Sequence, residues 1–142
     1  MYRYLIALGS NMGDRATYIQ SAKSLLAELP CTILSEASNH ETDPIGAADL
    51  KFINTALICQ SELTPSAFLS ALLRIEHSLG RERVVHWGNR TIDLDIILAI
   101  DEHDKVVSIN SEALTIPHPR AHERDFVMNP CSEIAPDWMK YL

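Results

Sequence analysis

Two carboxylates two residues apart, Asp93 and Asp95, are the pair in this chain with the clearest chemical use. They lie in the run Thr91 to Ile100, whose aliphatic and β-branched composition predicts a strand. Strand side chains alternate between faces, so residues two apart project to the same side of a sheet, about 7 Å from each other. That spacing suits a divalent cation. Magnesium is a hard ion that takes oxygen ligands, keeps several waters, and is commonly held by one or two carboxylates together with substrate phosphates. The same spacing also describes a solvated strand face, and Asp-x-Asp by itself does not choose between them.

Neighbouring residues add weight to the cation reading. Arg90 stands at the strand entrance, and Arg81 and Arg83 precede it on a stretch, residues 81–90, that has no regular period and carries Trp87-Gly88. The guanidinium fork matches phosphate oxygens, and an arginine-bearing loop with a glycine hinge can close over a triphosphate. The alternative is an exposed charged loop. A third group is Thr115-Ile-Pro-His118 with Arg124-Asp-Phe126, where His118 and Arg124 can donate to phosphate and Phe126 can stack on a flat ring. Taken singly, the histidine also reads as a turn residue and the phenylalanine as core. Gly9-x-x-x-Gly13 lacks both the Walker pattern and G-x-G-x-x-G, so it reads as a structural turn, and no serine or cysteine sits in a nucleophile elbow.

The elements that must position these groups follow from periodicity and punctuation. Tyr4 to Leu8 reads as a buried strand, and the Gly-Ser-Asn-Met-Gly-Asp stretch after it as a turn. Asp14 then caps a helix from Arg15 to Leu29, with an apolar stripe at Ile19, Ala22, Leu25, Leu26 and Leu29 that Pro30 stops. Thr32 to Ser38 is a second strand, residues 39–51 a functional-length loop, and Phe52 to Gln60 a third strand. Thr64 as cap and Pro65 at the first helical position open a second helix, which Gly80 ends. After the Asp93 strand, Asp-Glu-His-Asp is a turn into a fifth strand at Lys105 to Ile109, and the proline-rich remainder is loops and short helices. The order β-α-β-β-α-β with a C-terminal extension predicts an α+β, ferredoxin-like fold: helices packed on an antiparallel sheet. That architecture serves many functions and decides none of them.

Composition narrows the field. With 142 residues and no low-complexity linker, one domain spanning 1–142 is expected, and 46% hydrophobic residues supply a real core. The three cysteines are odd in number and form no C-x-x-C pair, so buried free thiols in a reducing compartment are expected. The opening MYRYLIALGSN has an apolar run too short for a signal-peptide core or a membrane span, which predicts a cytoplasmic protein without membrane association. A net charge of −7 argues against nucleic acid as partner. Five of the eight arginines nevertheless fall in two short stretches, so a small polyphosphate fits better than DNA or RNA.

Several segments together resemble the 6-hydroxymethyl-7,8-dihydropterin pyrophosphokinase family. They are ALGSNMGDR near the start, T-D-P-I-G at 42–46, F-I-N at 52–54, R-I-E-H-S-L-G-R-E-R at 74–83, W-G-N-R-T-I-D-L-D-I at 87–96, L-T-I-P-H at 114–118 and R-D-F at 124–126. They occur in family order across nearly the whole chain. The resemblance implies an ATP-dependent diphosphokinase of folate biosynthesis, passing a pyrophosphoryl group from ATP to the pterin hydroxymethyl oxygen and releasing AMP. It implies that Asp93 and Asp95 ligate two Mg2+ ions, with Arg81, Arg83, Arg90 and Arg124 completing the catalytic set. On the pterin side it implies Phe52 and Phe126 as the ring sandwich, Asn54 at the amide edge, the backbone around Thr42, Asp43 and Ile45, and Trp87. Around ATP it implies Glu76, Arg83, Arg90, Ile96, Thr115 and His118. A magnesium ion beside the acceptor oxygen would lower its pKa, with Asp95 as a candidate proton acceptor.

The chain departs from the family pattern in places. The 81–90 loop is one residue shorter, His86 stands where arginine is common, and Asn89 replaces a proline. Ala113 and Pro119 replace an arginine and an aromatic. Two other readings stay open at this stage: a kinase that transfers only the γ-phosphate of Mg-ATP, and a non-enzymatic ferredoxin-like module that senses a ligand or binds RNA. Without a coiled-coil pattern, a monomer is the default.

Overall fold

The structure, a computed structural model, describes residues 1–43, 50–80 and 91–142. Strand β1 (Tyr2–Ser10) leads through a turn into helix α1 (Arg15–Glu28), followed by β2 (Cys31–Glu36), β3 (His40–Thr42) and β4 (Phe52–Ser61). Helix α2 (Pro65–Ser78) and strand β5 (Asp93–Ile100) complete the core. A small hairpin of β6 (Ile109–Asn110) and β7 (Thr115–Ile116) and helix α3 (Asp125–Ile134) form the extension. The main sheet runs β2-β4-β1-β5, every pairing is antiparallel, and β3 joins the end of β4. This is the expected ferredoxin-like order, with β1 and β4 at the centre.

The helix boundaries follow from their caps. The Asp14 carboxylate accepts from the Thr17 amide at 3.1 Å, and Gly13 before it adopts φ 62°, a left-handed geometry that glycine enters without a Cβ penalty. Thr64 Oγ1 accepts from the Ala67 amide at 3.4 Å with Pro65 next, and Gly80 at φ 82° ends α2 as its position implied.

Apolar side chains fill both faces of the sheet. On one face Tyr4, Ile6, Leu8, Leu57, Leu94 and Ile96 meet Ile19 and Leu26 of α1 and Phe68, Leu72 and Ile75 of α2. On the other, Leu5, Ala56, Ile58, Ile97 and Leu98 meet Val127, Cys131 and Ala135 of the extension. A register shift between Leu5 and Ile6 makes Ile97 and Leu98 share one partner, and both fall in the second cluster. The C-terminal segment is therefore a structural layer as well as a tail.

Four expectations change. β1 continues through Gly9 and Ser10, so Gly9 is a strand residue and not part of the turn. The 39–51 loop begins with β3, because His40, Glu41 and Thr42 pair with Asn54, Ile53 and Phe52. The fifth strand at Lys105 to Ile109 is reduced to a bridge between Val106 and Ile100, with strand structure resuming only at Ile109. The turn itself falls where Asp-Glu-His-Asp predicts it: the Asp101 carboxylate accepts from the His103 and Lys105 amides, Asp104 takes φ 59°, and the chain after it stays beside β5 through the Val107 amide, which donates to the Ala99 carbonyl at 2.9 Å. Cys59 and Cys131 are buried, whereas Cys31 is only half-buried, and all three are free thiols.

Candidate active site

Register decides which side chains share a face. Gly9 pairs with Asn54 on β4 and with Asp93 on β5, and Ala7 pairs with Ala56 and Asp95. Directly paired residues in an antiparallel sheet project to the same side. His40, Asn54, Gly9 and Asp93 thus form one row across four strands, flanked by Thr42 with Phe52 and by Ala56, Ala7 and Asp95. This is the α3 face of the sheet. Toward Leu5, Ile58 and Leu98 it is apolar and packed by α3; toward Asn54 and the aspartates it turns polar. Adjacent strands lie about 4.8 Å apart, so roughly 10 Å separates Asn54 from Asp93.

Gly9 is the middle of that row and was missed as a site residue by its sequence context. A Cβ there would stand 2.9 Å from Asn54 Oδ1 and 3.7 Å from Phe52 Cδ1, so only a hydrogen lets the amide lie this close to the sheet. Asn54 is buried, and its Nδ2 donates to Thr42 Oγ1 at 2.5 Å, which fixes the amide's orientation and ties β3 to β4. The far end of the 39–51 segment is fastened to the β1–α1 turn. Asn11 donates to the Leu50 carbonyl at 3.0 Å, and Arg15 donates to the Lys51 carbonyl and to Glu41 on β3.

The extension brings a second set of groups. The His118 amide donates to the Ile97 carbonyl at 2.8 Å, so the chain after β7 runs along the outer edge of β5. His118 Nδ1 accepts from the Arg120 amide at 3.2 Å; in the neutral ring this leaves the proton on Nε2, a donor. Burial first, then the charges of Arg124 and Arg120, hold the His118 pKa below its ordinary value, which keeps the ring neutral near pH 7. Arg124 precedes α3, and its guanidinium carbon lies 5.7 Å from the centre of the half-buried Phe126 ring. Phe126 packs against the α3-side cluster, hence on the face that carries Asn54 and the aspartates.

Glu76 and Ile96 point elsewhere. Glu76 is buried on α2 and its Oε2 accepts from the Leu94 amide at 2.7 Å, so it grips β5 between the two aspartates. That amide points away from β1, to the outer edge of β5, and the Ile96 main chain, two residues on, points the same way. The Ile96 side chain itself is in the helix-side core. Thr115 lies on β7 with its hydroxyl toward Asn110 at 3.5 Å. Asp43 is exposed just after β3. Arg81, Arg83, Trp87, Arg90 and Ile45 lie outside the described residues.

The donor set fits a hard cation. Asp93 is half-buried, Asp95 is exposed, and both face the same side of the edge strand. Among the described residues no group of three or more His, Cys, Asp or Glu side chains gathers as a metal cage. Two carboxylates that leave the remaining positions to water and phosphate are the magnesium pattern.

Comparison with known proteins points in one direction. The family model for 7,8-dihydro-6-hydroxymethylpterin-pyrophosphokinase matches residues 5–136. A 2-amino-4-hydroxy-6-hydroxymethyldihydropteridine pyrophosphokinase of Bacillus subtilis is 45% identical over 131 residues, 91% of this chain and 75% of its own. One of the same name from Methylorubrum extorquens is 37% identical over 139 residues, 96% of this chain and 85% of its own. A crystal structure of an HPPK-DHPS protein in complex with substrates superposes with TM-score 0.71 over 96% of this chain and 42% of that one; at 12% identity it supports the fold alone.

Proposed function

Because the chain belongs to the 7,8-dihydro-6-hydroxymethylpterin-pyrophosphokinase family, we propose that the α3 face of its sheet is where a pyrophosphoryl group passes from ATP to 6-hydroxymethyl-7,8-dihydropterin. The enzyme is an ATP-dependent diphosphokinase of folate biosynthesis, with AMP as the second product. The observation that carries the site is the row Asn54, Gly9, Asp93. Its length of roughly 10 Å, two strand spacings, spans a bicyclic heterocycle whose amide edge meets Asn54 and whose hydroxymethyl arm reaches the aspartates. Gly9 is the floor beneath the ring, and Phe52 and Phe126 are its stacking partners. An analogue without the amide edge forfeits its hydrogen bonds to the buried Asn54, which is how the site rejects it.

ATP is proposed to lie along the outer edge of β5, where the Ile96 main chain, Thr115 and His118 meet it and Glu76 holds the strand straight. His118 donates from Nε2 to a phosphate oxygen, and Arg124 contributes a fixed positive charge near the transferring group. Arg81, Arg83, Arg90 and Trp87 are proposed to join them, as are Asp43 and the Ile45 backbone on the pterin side. Asp93 and Asp95 would hold Mg2+, two ions in this reading, which when bound supply charge neutralisation for the triphosphate and acidify the acceptor alcohol. Asp95, the more exposed carboxylate, is the proposed acceptor of the hydroxyl proton. The remaining work is alignment of the alcohol with the β-phosphorus for in-line attack. A cytoplasmic monomer completes the proposal, supported by the free thiols. No described helix is long and apolar enough to cross a membrane.

Phosphorus NMR of the protein with Mg-ATP and 6-hydroxymethyl-7,8-dihydropterin tests the reading. AMP and a pyrophosphorylated pterin are expected, with turnover reduced about 100-fold or more in Asp93→Ala and Asp95→Ala. ADP as product would establish γ-phosphoryl transfer instead, unchanged ATP would leave a binding module, and native-like turnover in either variant would remove the aspartates from the mechanism.

A further inference from the structure

The Glu133 carboxylate gathers three donors from the opposite wall of the pterin site. Its Oε2 accepts from the Ser38 amide at 2.7 Å, and its Oε1 accepts from the Ser38 hydroxyl at 2.6 Å and lies 3.0 Å from His40 Nε2. These contacts hold its pKa down, to about 2, with the Ser38 hydroxyl and amide as the leading causes and His40 after them, so it is a carboxylate throughout the working range.

What this cluster joins matters more than its strength. His40 sits opposite Asn54, two residues before Thr42, whose hydroxyl orients the Asn54 amide. Just before it, Ala37 is strapped to β4, donating to the Ala56 carbonyl at 2.9 Å and accepting from Thr55 Oγ1 at 2.9 Å. On the other side, Glu133 follows Phe126 by seven residues on α3 and shares its helix face, about 10 Å along the axis. The apolar contacts of Val127 and Cys131 hold α3 against the sheet but are non-directional, whereas the carboxylate adds directional contacts in the helix's last turn.

We propose that Glu133 is a positioning residue for the pterin, clamping α3 to the β2–β3 connection so that Phe126 stands at ring-stacking distance from the wall formed by Thr42, Phe52 and Asn54. This rests on the placement of the pterin in the proposed function. Glu133 itself touches no substrate. Its removal loosens one wall of one pocket and leaves the β5 edge, where ATP is placed, as it was.

The test is steady-state kinetics with each substrate varied at saturating levels of the other. Glu133→Gln keeps the length of the side chain but removes its charge and replaces one of its two acceptor oxygens with an NH2 group. It is expected to raise the pterin KM about three- to ten-fold, with kcat and the ATP KM within about two-fold of native. Ser38→Ala, which removes one exposed hydroxyl, should shift the pterin KM the same way by less. In a Phe126→Ala background Glu133→Gln should have no further effect, because the group it positions is gone. A pterin KM within two-fold of native in both Glu133→Gln and Ser38→Ala overturns the inference. So does an equal rise in the ATP KM, or full multiplicativity with Phe126→Ala. Native turnover is measured first: no AMP from the native chain refutes the functional reading as well, whereas native turnover with unsplit variants refutes the clamp alone.

Discussion

Adding one methyl group at Gly9 should weaken pterin binding while leaving ATP binding intact. The new Cβ would stand 2.9 Å from Asn54 Oδ1, against ordinary contact beginning at 3.4 Å, so the amide must retreat by 3.4 − 2.9 = 0.5 Å. It is not free to do so. Its Nδ2 is committed to Thr42 Oγ1 at 2.5 Å, and the buried side chain has Phe52 beside it. Either that hydrogen bond breaks, at about 0.5–1.5 kcal/mol, or β4 shifts, at the 1–3 kcal/mol typical of an overpacked site. A loss of about 1–2 kcal/mol at the amide reader corresponds to roughly a 5–30-fold weaker pterin complex. Calorimetric titration with 6-hydroxymethyl-7,8-dihydropterin, and separately with a non-hydrolysable ATP analogue, measures both arms. The ATP arm should stay within two-fold, since no part of the β5 edge moves. Replacing Asn54 with alanine as well should remove the clash, so the pair should cost less than the sum of its members. Native-like pterin affinity in Gly9→Ala, or an equal loss of ATP affinity, would refute the reasoning.

Glu76→Ala should destabilise the fold by about 1–3 kcal/mol, because the Leu94 amide loses its acceptor in a buried position; urea unfolding measures it, and an unchanged midpoint would mean the strand relaxes without cost. The pH dependence of stability should carry a signature of His118. Its folded pKa is held below the ordinary 6.5 by burial and then by Arg124 and Arg120, so the unfolded chain takes up the proton first. The contribution is therefore complete above about pH 6.5 and is lost as pH falls from there through the folded value. Urea midpoints of the native chain and His118→Gln should converge between pH 7.5 and 5. A gap that stays constant or widens on acidification contradicts the assigned direction.

Local chemistry made much of the scaffold legible. The stripe through Ile19, Ala22 and Leu26, the caps at Asp14 and Thr64 and the stop at Gly80 act within a turn or two of chain, and each is where its residue type requires. The shared face of Asp93 and Asp95 follows from strand alternation alone. The ring-stacking role proposed for Phe52 rests on family resemblance and that proposed for Phe126 on its residue type as well, and Arg81, Arg83, Trp87 and Arg90 lie outside the described residues.

What needed the tertiary structure is everything set by partners distant in sequence. His40 to Thr42 has too few residues to announce a strand and becomes one because the end of β4 offers it a ladder. Lys105 to Ile109 has strand composition, yet its pairing with β5 comes down to the bridge between Val106 and Ile100, an outcome set by the partner strand and not by composition. Glu133 is one acidic residue among 19 until folding sets it against Ser38 and His40, 95 and 93 positions away. Gly9 resembles a turn glycine until register puts it between Asn54 and Asp93. The sequence by itself determined the two capped helices, the longer strands with their faces and the carboxylate pair, since those depend on neighbours along the chain. Only the tertiary structure decided which faces meet, what lies across the row from the aspartates, and why the residue between them has no side chain, since those depend on contacts that local periodicity does not encode.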